Sequence, residues 1–135
     1  MFNNIIKKIY YEKYSKKSYS ISNVDLIIDR IFRDIPKGIY IDVGCNHPIK
    51  YNNTYLLHKR GWTGINIDLD KKCIDEFDIM RKKDHNLQEL VGSVDGEEKE
   101  IYYYHERSAI NTISKELANK RKTKPREILV KKQNH

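Results

Sequence analysis

Two acidic residues, Asp42 and Asp68, each stand at the end of a short β-branched run, where their carboxylates could do chemistry. Gly44 follows Asp42 by two positions, so the backbone can turn sharply there and approach a ligand with no Cβ in the way. In doubly wound α/β sheets, ligands bind beyond the carboxyl ends of the strands. We therefore expect Asp42, Gly44 and Asp68 to meet at one binding crevice.

The charge of these residues selects a class of ligand. A carboxylate beside Gly44 would repel a pyrophosphate, whereas it suits a ligand with cationic amino and sulfonium groups, such as S-adenosylmethionine. Asp68 lies 24 residues after Gly44, near the spacing of about 20 residues at which an acid binds ribose hydroxyls. The glycine patterns of dinucleotide sites and phosphate loops do not occur in this sequence.

The elements that must position these residues alternate between strands and helices. Strands are predicted at 38–44, 64–68 and 87–91, and the first of them is expected to be buried. Helices are predicted between them at 53–60 and 71–83. This order favours right-handed crossovers and a parallel sheet.

Two more helices are expected before the first strand, and one more strand after the third. A helix begins at Ser22 or Asn23 and ends at Pro36. Its apolar residues recur at helical spacing at Leu26, Ile27, Ile31 and Ile35. The other helix covers residues 3–17, and the additional strand covers 100–104.

The basic charge of the chain is concentrated at its two ends. The formal net charge is +7; the first 20 residues hold five lysines and one glutamate, and residues 115–135 hold eight lysines and arginines and two glutamates. Such ends favour either an anionic partner or simple solvation. Because no aromatic residues interleave with the basic ones in a recognised motif, we interpret the ends as solvated and do not expect nucleic acid binding.

Composition excludes several other classes of protein. No apolar run approaches the roughly 18 residues of a membrane span, so we expect no stable membrane insertion and a cytoplasmic location. Cys45 and Cys73 are expected to be free thiols. The histidines and cysteines lack C-x-x-C and H-x-x-x-H spacing, so no metal site is predicted.

Three motifs occur in order between Gly38 and Asp70: DVGCNHP, NNTYLLHKR and GWTGINID. In this order and spacing they resemble the opening of the FkbM-type S-adenosylmethionine-dependent methyltransferases. A weaker likeness continues through RKKDHNLQELVG, IYYYHE and SAINTIS, so the resemblance covers about residues 25–132. It implies a Rossmann-like methyltransferase fold, an α/β arrangement of three layers with a mostly parallel sheet, truncated after the first strands.

The resemblance also implies roles for single residues. Asp42, Gly44 and Asn46 would line the methionine side of S-adenosylmethionine, and Asp68 would hold its ribose. Neither a general base nor any other catalytic residue is identified. Four further residues match family positions to which we assign no role: Asp84, Asn86, Asn111 and Thr112.

The family domain would continue with a strand resembling IDFLKIDVEG, whereas this chain ends at His135. We therefore expect residues 1–20 to form a basic helix or tail and residues 21–135 to form a partial FkbM-like domain. Three explanations of the missing half are open: the sequence is a fragment, the gene is frameshifted or split, or a partner chain supplies the rest.

The implied function is transfer of a methyl group to a hydroxyl oxygen of a sugar, glycan or other small metabolite, although the isolated chain could be inactive. The alternative is a non-catalytic remnant or binding module whose basic ends contact nucleic acid or anionic surfaces. Binding of S-adenosylmethionine distinguishes the two.

Overall fold

The structure is a computed structural model that describes residues 5–7, 16–94, 96, 98–106, 108 and 110–132. Its strands are β1 (Ile39–Val43), β2 (Thr63–Asp68), β3 (His85–Gln88), β4 (Glu98–Tyr103) and β5 (Glu127–Lys132). Its helices are α1 (Val24–Ile31), α2 (Tyr55–Lys59), α3 (Lys71–Met80) and α4 (Lys115–Lys120), with a 3-10 turn at Ile21–Asn23 before α1.

The first three strands form a parallel sheet in the order β1-β2-β3, as the sequence predicts. Ile41 lies beside Ile65, which lies beside His85, so the three strands are in register across the sheet. Strand β3 begins two residues before its predicted start, and Glu89 follows its end rather than lying within it. The predicted bounds 87–91 are displaced because the pairing with β2 begins at His85 and places Asn86 beside Asn66.

Alternation along the strands gives the sheet two faces that differ in exposure. The covered face carries Tyr40 and Asn66, both buried. The open face carries Ile39, Ile41 and Val43 of β1, which are 77%, 65% and 58% exposed. The prediction that β1 is a buried strand is therefore wrong for the side chains on this open face.

Helices α1 and α2 pack on the covered face around Tyr40. Leu57 of α2 and Trp62 form a buried cluster with Tyr40, and Ile28 and Phe32 pack against it. Helix α3 contacts β2 and β3 and buries Cys73, Ile74 and Phe77, whereas Met80 at its end is exposed. In the part of the chain that the structure describes, the helices against this sheet therefore form one layer, and a third layer is not formed.

Helix α1 differs from its prediction in length and orientation. It ends at Ile31, well before Pro36, and Ile27 and Ile31 are exposed. Its buried residues are instead Asp25 and Asp29. The apolar spacing misidentified the inner side because aspartate carboxylates there accept hydrogen bonds from the preceding segment and from Arg60, which directly follows α2.

The two aspartates fasten neighbouring segments to α1. Asp25 accepts hydrogen bonds from the Ser18 hydroxyl at 2.6 Å and from the Tyr19 amide at 2.7 Å. Asp29 accepts from Lys16 and, at 3.2 Å, from Arg60. Burial raises the pKa of both carboxyls, but these bonds outweigh it and leave each pKa below its usual value.

The predicted helix at 3–17 is described only in part. Residues 5–7 are helical, whereas residues 16 and 17 are not, so its predicted end is wrong. The remaining positions of that prediction lie outside the described residues.

Strands β4 and β5 form a separate antiparallel ribbon. Ile101 of β4 pairs with Leu129 of β5, and α4 packs on the ribbon by placing Ala118 against Tyr102 and Tyr104. The sequence predicts β4 but neither α4 nor β5. The fold is thus α/β, with a three-stranded parallel sheet and a small antiparallel sheet, and no helix among the described residues is long and apolar enough to cross a bilayer.

Candidate functional site

A cavity of about 730 Å³ lies between the carboxyl ends of the parallel strands and the β4–β5 ribbon. Val43 and Ile67 contribute its wall on the sheet side, and Ile101 and Leu129 contribute apolar surface from the ribbon. Its position agrees with the general rule that open α/β sheets bind ligands beyond the strand ends.

Three of the four predicted site residues line this cavity: Gly44, Asn46 and Asp68. Gly44 has a φ of +73°, in the left-handed region that favours glycine. A Cβ built on Gly44 would meet nothing within 4 Å, so the space beside it is open. The turn after β1 therefore brings bare backbone to the cavity, as the sequence predicts.

Asp68 is held in a fixed orientation by two backbone amides. Its Oδ2 accepts from the Asn46 amide at 2.9 Å, and its Oδ1 accepts from the Asp70 amide at 2.9 Å. A carboxylate has about four lone-pair sites, so each oxygen of Asp68 can accept one more donor. Asp68 can thus join the loop after β1 to a ligand that offers two hydroxyls.

Asp42 lies elsewhere. Its side chain is on the covered face, and its Oδ2 accepts from Asn52 Nδ2 at 3.1 Å and from the Thr54 hydroxyl at 2.9 Å. Asp42 is not among the residues that line the cavity. The expectation that Asp42 and Asp68 face one crevice is therefore corrected, because the loop that follows β1 supplies donors that hold Asp42 beneath it.

The cavity is acidic although the protein is basic. Its lining holds five carboxylates and two cationic side chains: Asp68, Asp70, Glu89, Glu106 and Glu127, with Lys71 and Arg126. The formal net charge of the whole chain is +7. Clefts lined mainly by one sign of charge concentrate ligands of the opposite sign, so this cavity favours a cationic ligand.

Glu89 is a cavity residue that the sequence analysis missed. Its Oε2 atom is buried and has no hydrogen-bond partner among the described residues. Buried polar atoms are normally paired, so an oxygen left free beside a cavity is available to a ligand N–H. An acidic residue directly after the third strand would have indicated a site residue, as at Asp68. The predicted strand at 87–91 contains Glu89, so the sequence did not place it at a strand end.

Asn111 and Thr112 also line the cavity, from the connection between β4 and α4. The Asn111 side chain accepts from the Tyr104 amide at 2.9 Å and donates to the His105 carbonyl at 3.0 Å. Thr112 forms a bridge with Tyr102 of β4. The two residues hold this connection against the ribbon.

Asp84 and Asn86 belong to a buried polar network on the covered face. Asp84 accepts from the Tyr40 hydroxyl, from the Gly64 amide at 3.2 Å and from Asn66 Nδ2 at 3.0 Å. Asn86 accepts from Asn66 Nδ2 at 2.9 Å. Burial raises the pKa of Tyr40, and the adjacent Asp84 raises it further, so its hydroxyl keeps its proton.

The two cysteines are free, as predicted, and both are buried. Burial raises the pKa of Cys45, and the carboxylates of Asp68 and Asp42 raise it further, which keeps this thiol protonated. The Cys73 thiol lies 3.8 Å from Asn46 Oδ1 and donates to it. Their chemistry here is packing and weak hydrogen bonding rather than nucleophilic attack.

The described residues contain no group of three or more histidines, cysteines or acids placed to hold a metal ion. His47, which follows Asn46, turns its Nδ1 towards its own loop and accepts from the amides of Ile49 and Lys50, each at 3.0 Å.

Comparison with protein-family models, curated proteins and solved structures found no match for this chain.

Proposed function

We propose that the cavity binds S-adenosylmethionine and that the protein is an S-adenosylmethionine-dependent methyltransferase acting on a hydroxyl of a sugar or small metabolite. The observation that carries this proposal is an acidic cavity in a basic protein, placed where the carboxyl ends of β1 and β2 meet. A sulfonium nucleoside carries positive charge, which the five carboxylates of the cavity attract. The same carboxylates would repel a phosphate ligand.

The residues present fit such a ligand. Asp68, fixed by two amides, would accept from the ribose hydroxyls, and the unpaired Oε2 of Glu89 would accept from an amino group. The loop with Gly44 would pass beside the methionine portion, where backbone approaches the cavity without a Cβ. The cofactor supplies an activated methyl group, and the protein would contribute binding and orientation.

Tyr103 is a further polar residue at the cavity. Its pKa is raised by partial burial and by the nearby carboxylates of Asp70 and Glu106. A phenol that holds its proton can donate a hydrogen bond to an acceptor oxygen but is a poor general base at neutral pH. We therefore assign Tyr103 to acceptor orientation, and we assign no general base.

This function would suit a three-layered Rossmann-like methyltransferase fold, and the parallel sheet with its single layer of helices supports that part of the proposal. Right-handed crossovers that run from β1 to β2 to β3 place the connecting helices α2 and α3 on one face. Strands added beside the edge of β1, which pairs with no second strand among the described residues, would bring helices to the open face of Ile39, Ile41 and Val43. A partner chain with such a strand and helix would complete the sheet, bury this face and close the cavity near Val43.

Isothermal titration calorimetry tests the proposal. We expect the wild-type chain to bind S-adenosylmethionine more tightly than neutral adenosine, and Asp68→Asn to weaken S-adenosylmethionine binding by about tenfold or more, about 1.4 kcal/mol. The matched control is Asp34→Asn, which removes the same charge from an exposed residue outside the cavity.

Equal affinity for the charged and neutral nucleosides would contradict the electrostatic argument. No cofactor binding, together with saturable and salt-sensitive binding to RNA or to anionic vesicles, would favour the binding module with basic ends. An unchanged affinity in Asp68→Asn would remove Asp68 from the site.

A further inference from the structure

The loop between β1 and α2 adopts a conformation that requires support. Asn46 and Tyr51 have φ values of +53° and +56°, in the left-handed region that side chains other than glycine seldom occupy. Such residues keep this backbone only where surrounding contacts hold it. The loop also provides the Asn46 amide that binds Asp68.

Arg81, at the end of α3, holds this loop from inside the protein. Only 1% of its surface is exposed. Its Nε and Nη2 both donate to the Pro48 carbonyl, at 3.1 and 2.6 Å. Nη2 also donates to Asn52 Oδ1 at 2.8 Å, and Nη1 donates to the Thr54 hydroxyl at 2.8 Å. One guanidinium thus bonds to three positions along a single loop.

The residues that Arg81 holds continue the network towards the cavity. Asn52 Nδ2 and the Thr54 hydroxyl both donate to Asp42, and Asn52 Nδ2 also lies 3.4 Å from the Cys45 carbonyl. Cys45 directly precedes the amide that donates to Asp68. A continuous path of hydrogen bonds therefore joins Arg81 to the cavity wall.

We infer that Arg81 is a positioning residue of the cofactor site: it fixes the loop after β1 so that the Asn46 amide and Asp68 present their binding geometry. This inference rests on the proposed function. The inference also assigns Asp42 a structural role in place of the predicted contact with the cofactor. Asp42 couples β1 to the loop by accepting hydrogen bonds from Asn52 and Thr54. Arg81 itself is buried behind the loop and is not among the residues that line the cavity.

The test compares variants of Arg81 and Thr54 with matched controls. Arg81→Lys keeps the charge but loses the forked donors, and Thr54→Val removes the bridging hydroxyl that Thr54→Ser retains. Arg60→Lys is the control for a multiply bonded arginine, because Arg60 donates to the carbonyls of Phe32 and Ile35, which follow α1 and do not line the cavity. Each variant is assayed for S-adenosylmethionine affinity and for hydrogen exchange at the Asn46 amide.

We expect Arg81→Lys and Thr54→Val to weaken affinity by up to about 100-fold, the scale on which small misplacements act. Exchange at the Asn46 amide should quicken in both, more than at amides of β2. Thr54→Ser should bind like the wild type, and Arg60→Lys should keep its affinity even where it lowers stability.

Two results would overturn the inference: unchanged affinity and exchange in folded Thr54→Val, or an equal loss of affinity in Arg60→Lys. If Arg81→Lys does not fold, the Thr54 pair decides. If the wild type binds no S-adenosylmethionine, the proposed function fails by itself. Exchange at Asn46 then decides whether Arg81 holds the loop: faster exchange in Thr54→Val supports it, and unchanged exchange refutes it.

Discussion

The two faces of the parallel sheet reverse the usual relation between polarity and burial. The covered face buries Tyr40, Asn66 and Asp84 together with the guanidinium of Arg81. The open face exposes Ile39, Ile41 and Val43. Both faces come from the same strands in alternation, so the difference lies in what packs against each of them.

This contrast shows that the covered face is specified by hydrogen bonds as well as by apolar burial. Arg81 reaches Asp84 through the Tyr40 hydroxyl, to which it donates at 3.2 Å and which in turn donates to Asp84. The guanidinium also lies over the Phe77 ring, 4.9 Å from its centre. A substitution that removes a buried charge with this many partners leaves the partners unpaired and is strongly destabilising. The exposed side chains of Ile39, Ile41 and Val43 on the open face are not held by a buried network of this kind.

The largest effect that would test this comparison is expected from Arg81→Ala. Removing the guanidinium leaves the Pro48 carbonyl and the Tyr40–Asp84 pair without their buried donor, which should lower the free energy of unfolding by about 3–5 kcal/mol. Urea denaturation monitored by circular dichroism measures this change. A loss below about 1 kcal/mol would mean that water replaces the guanidinium and that the network is not closed.

Sequence patterns predicted the frame of the sheet but not this network. Strands β1 and β2 and helices α2 and α3 were found because β-branched runs, helical spacing and Gly61 mark them locally. Gly44 and Asp68 were found for the same reason, since strand ends are visible in the sequence. Arg81 was not, because its side-chain partners lie between 15 and 41 residues away and nothing beside it in the chain marks it as buried.

The errors at α1 and β3 both involve polar side chains. In α1 the apolar spacing predicts an inner side that includes Ile27 and Ile31, whereas the buried residues are Asp25 and Asp29. In β3 the pairing with β2 begins at His85, where the half-buried Asn86 bonds to Asn66. A carboxylate or amide can be buried when donors from distant segments reach it, and those donors are fixed only by the tertiary structure. Strand β5 was not predicted because it lies in the basic C-terminal segment, which was interpreted as solvated.

A second effect, of intermediate size, is expected at Gly64 on the covered face. A Cβ at this position would lie 2.2 Å from Tyr40 Cδ2 and 2.5 Å from the Tyr40 carbonyl oxygen, closer than packed atoms allow. Gly64→Ala should lower the free energy of unfolding by about 1–3 kcal/mol by forcing β1 and β2 apart. Gly92→Ala, at an exposed position, is the control. Equal stability of the two variants in thermal denaturation would show that β1 can shift freely.

A third effect is the pH dependence of stability that arises from His58, which lies near Arg81 and Asp84 on the covered face. Burial lowers the pKa of His58, and the charge of Arg81 lowers it further, against a smaller opposing effect of Asp84. The unfolded chain therefore binds the proton first, and the free energy of unfolding should fall as pH drops below 6.5, the usual value. His58→Gln should flatten this part of the pH dependence in urea titrations between about pH 7.5 and 5.5. An unchanged slope would place the sensitivity in other groups.

The smallest effect on stability is expected on the open face, where the comparison is sharpest. Ile41→Lys replaces an exposed side chain, so the free energy of unfolding should change by no more than about 0.5 kcal/mol. Exposed apolar sheet surface beside a free strand edge favours association, so the same substitution should reduce self-association in sedimentation velocity. Ile27→Lys, on the exposed side of α1, controls for added charge. A large loss of stability in Ile41→Lys would show that this face is covered in solution, and equal effects of both variants on association would assign it to charge rather than to the open face.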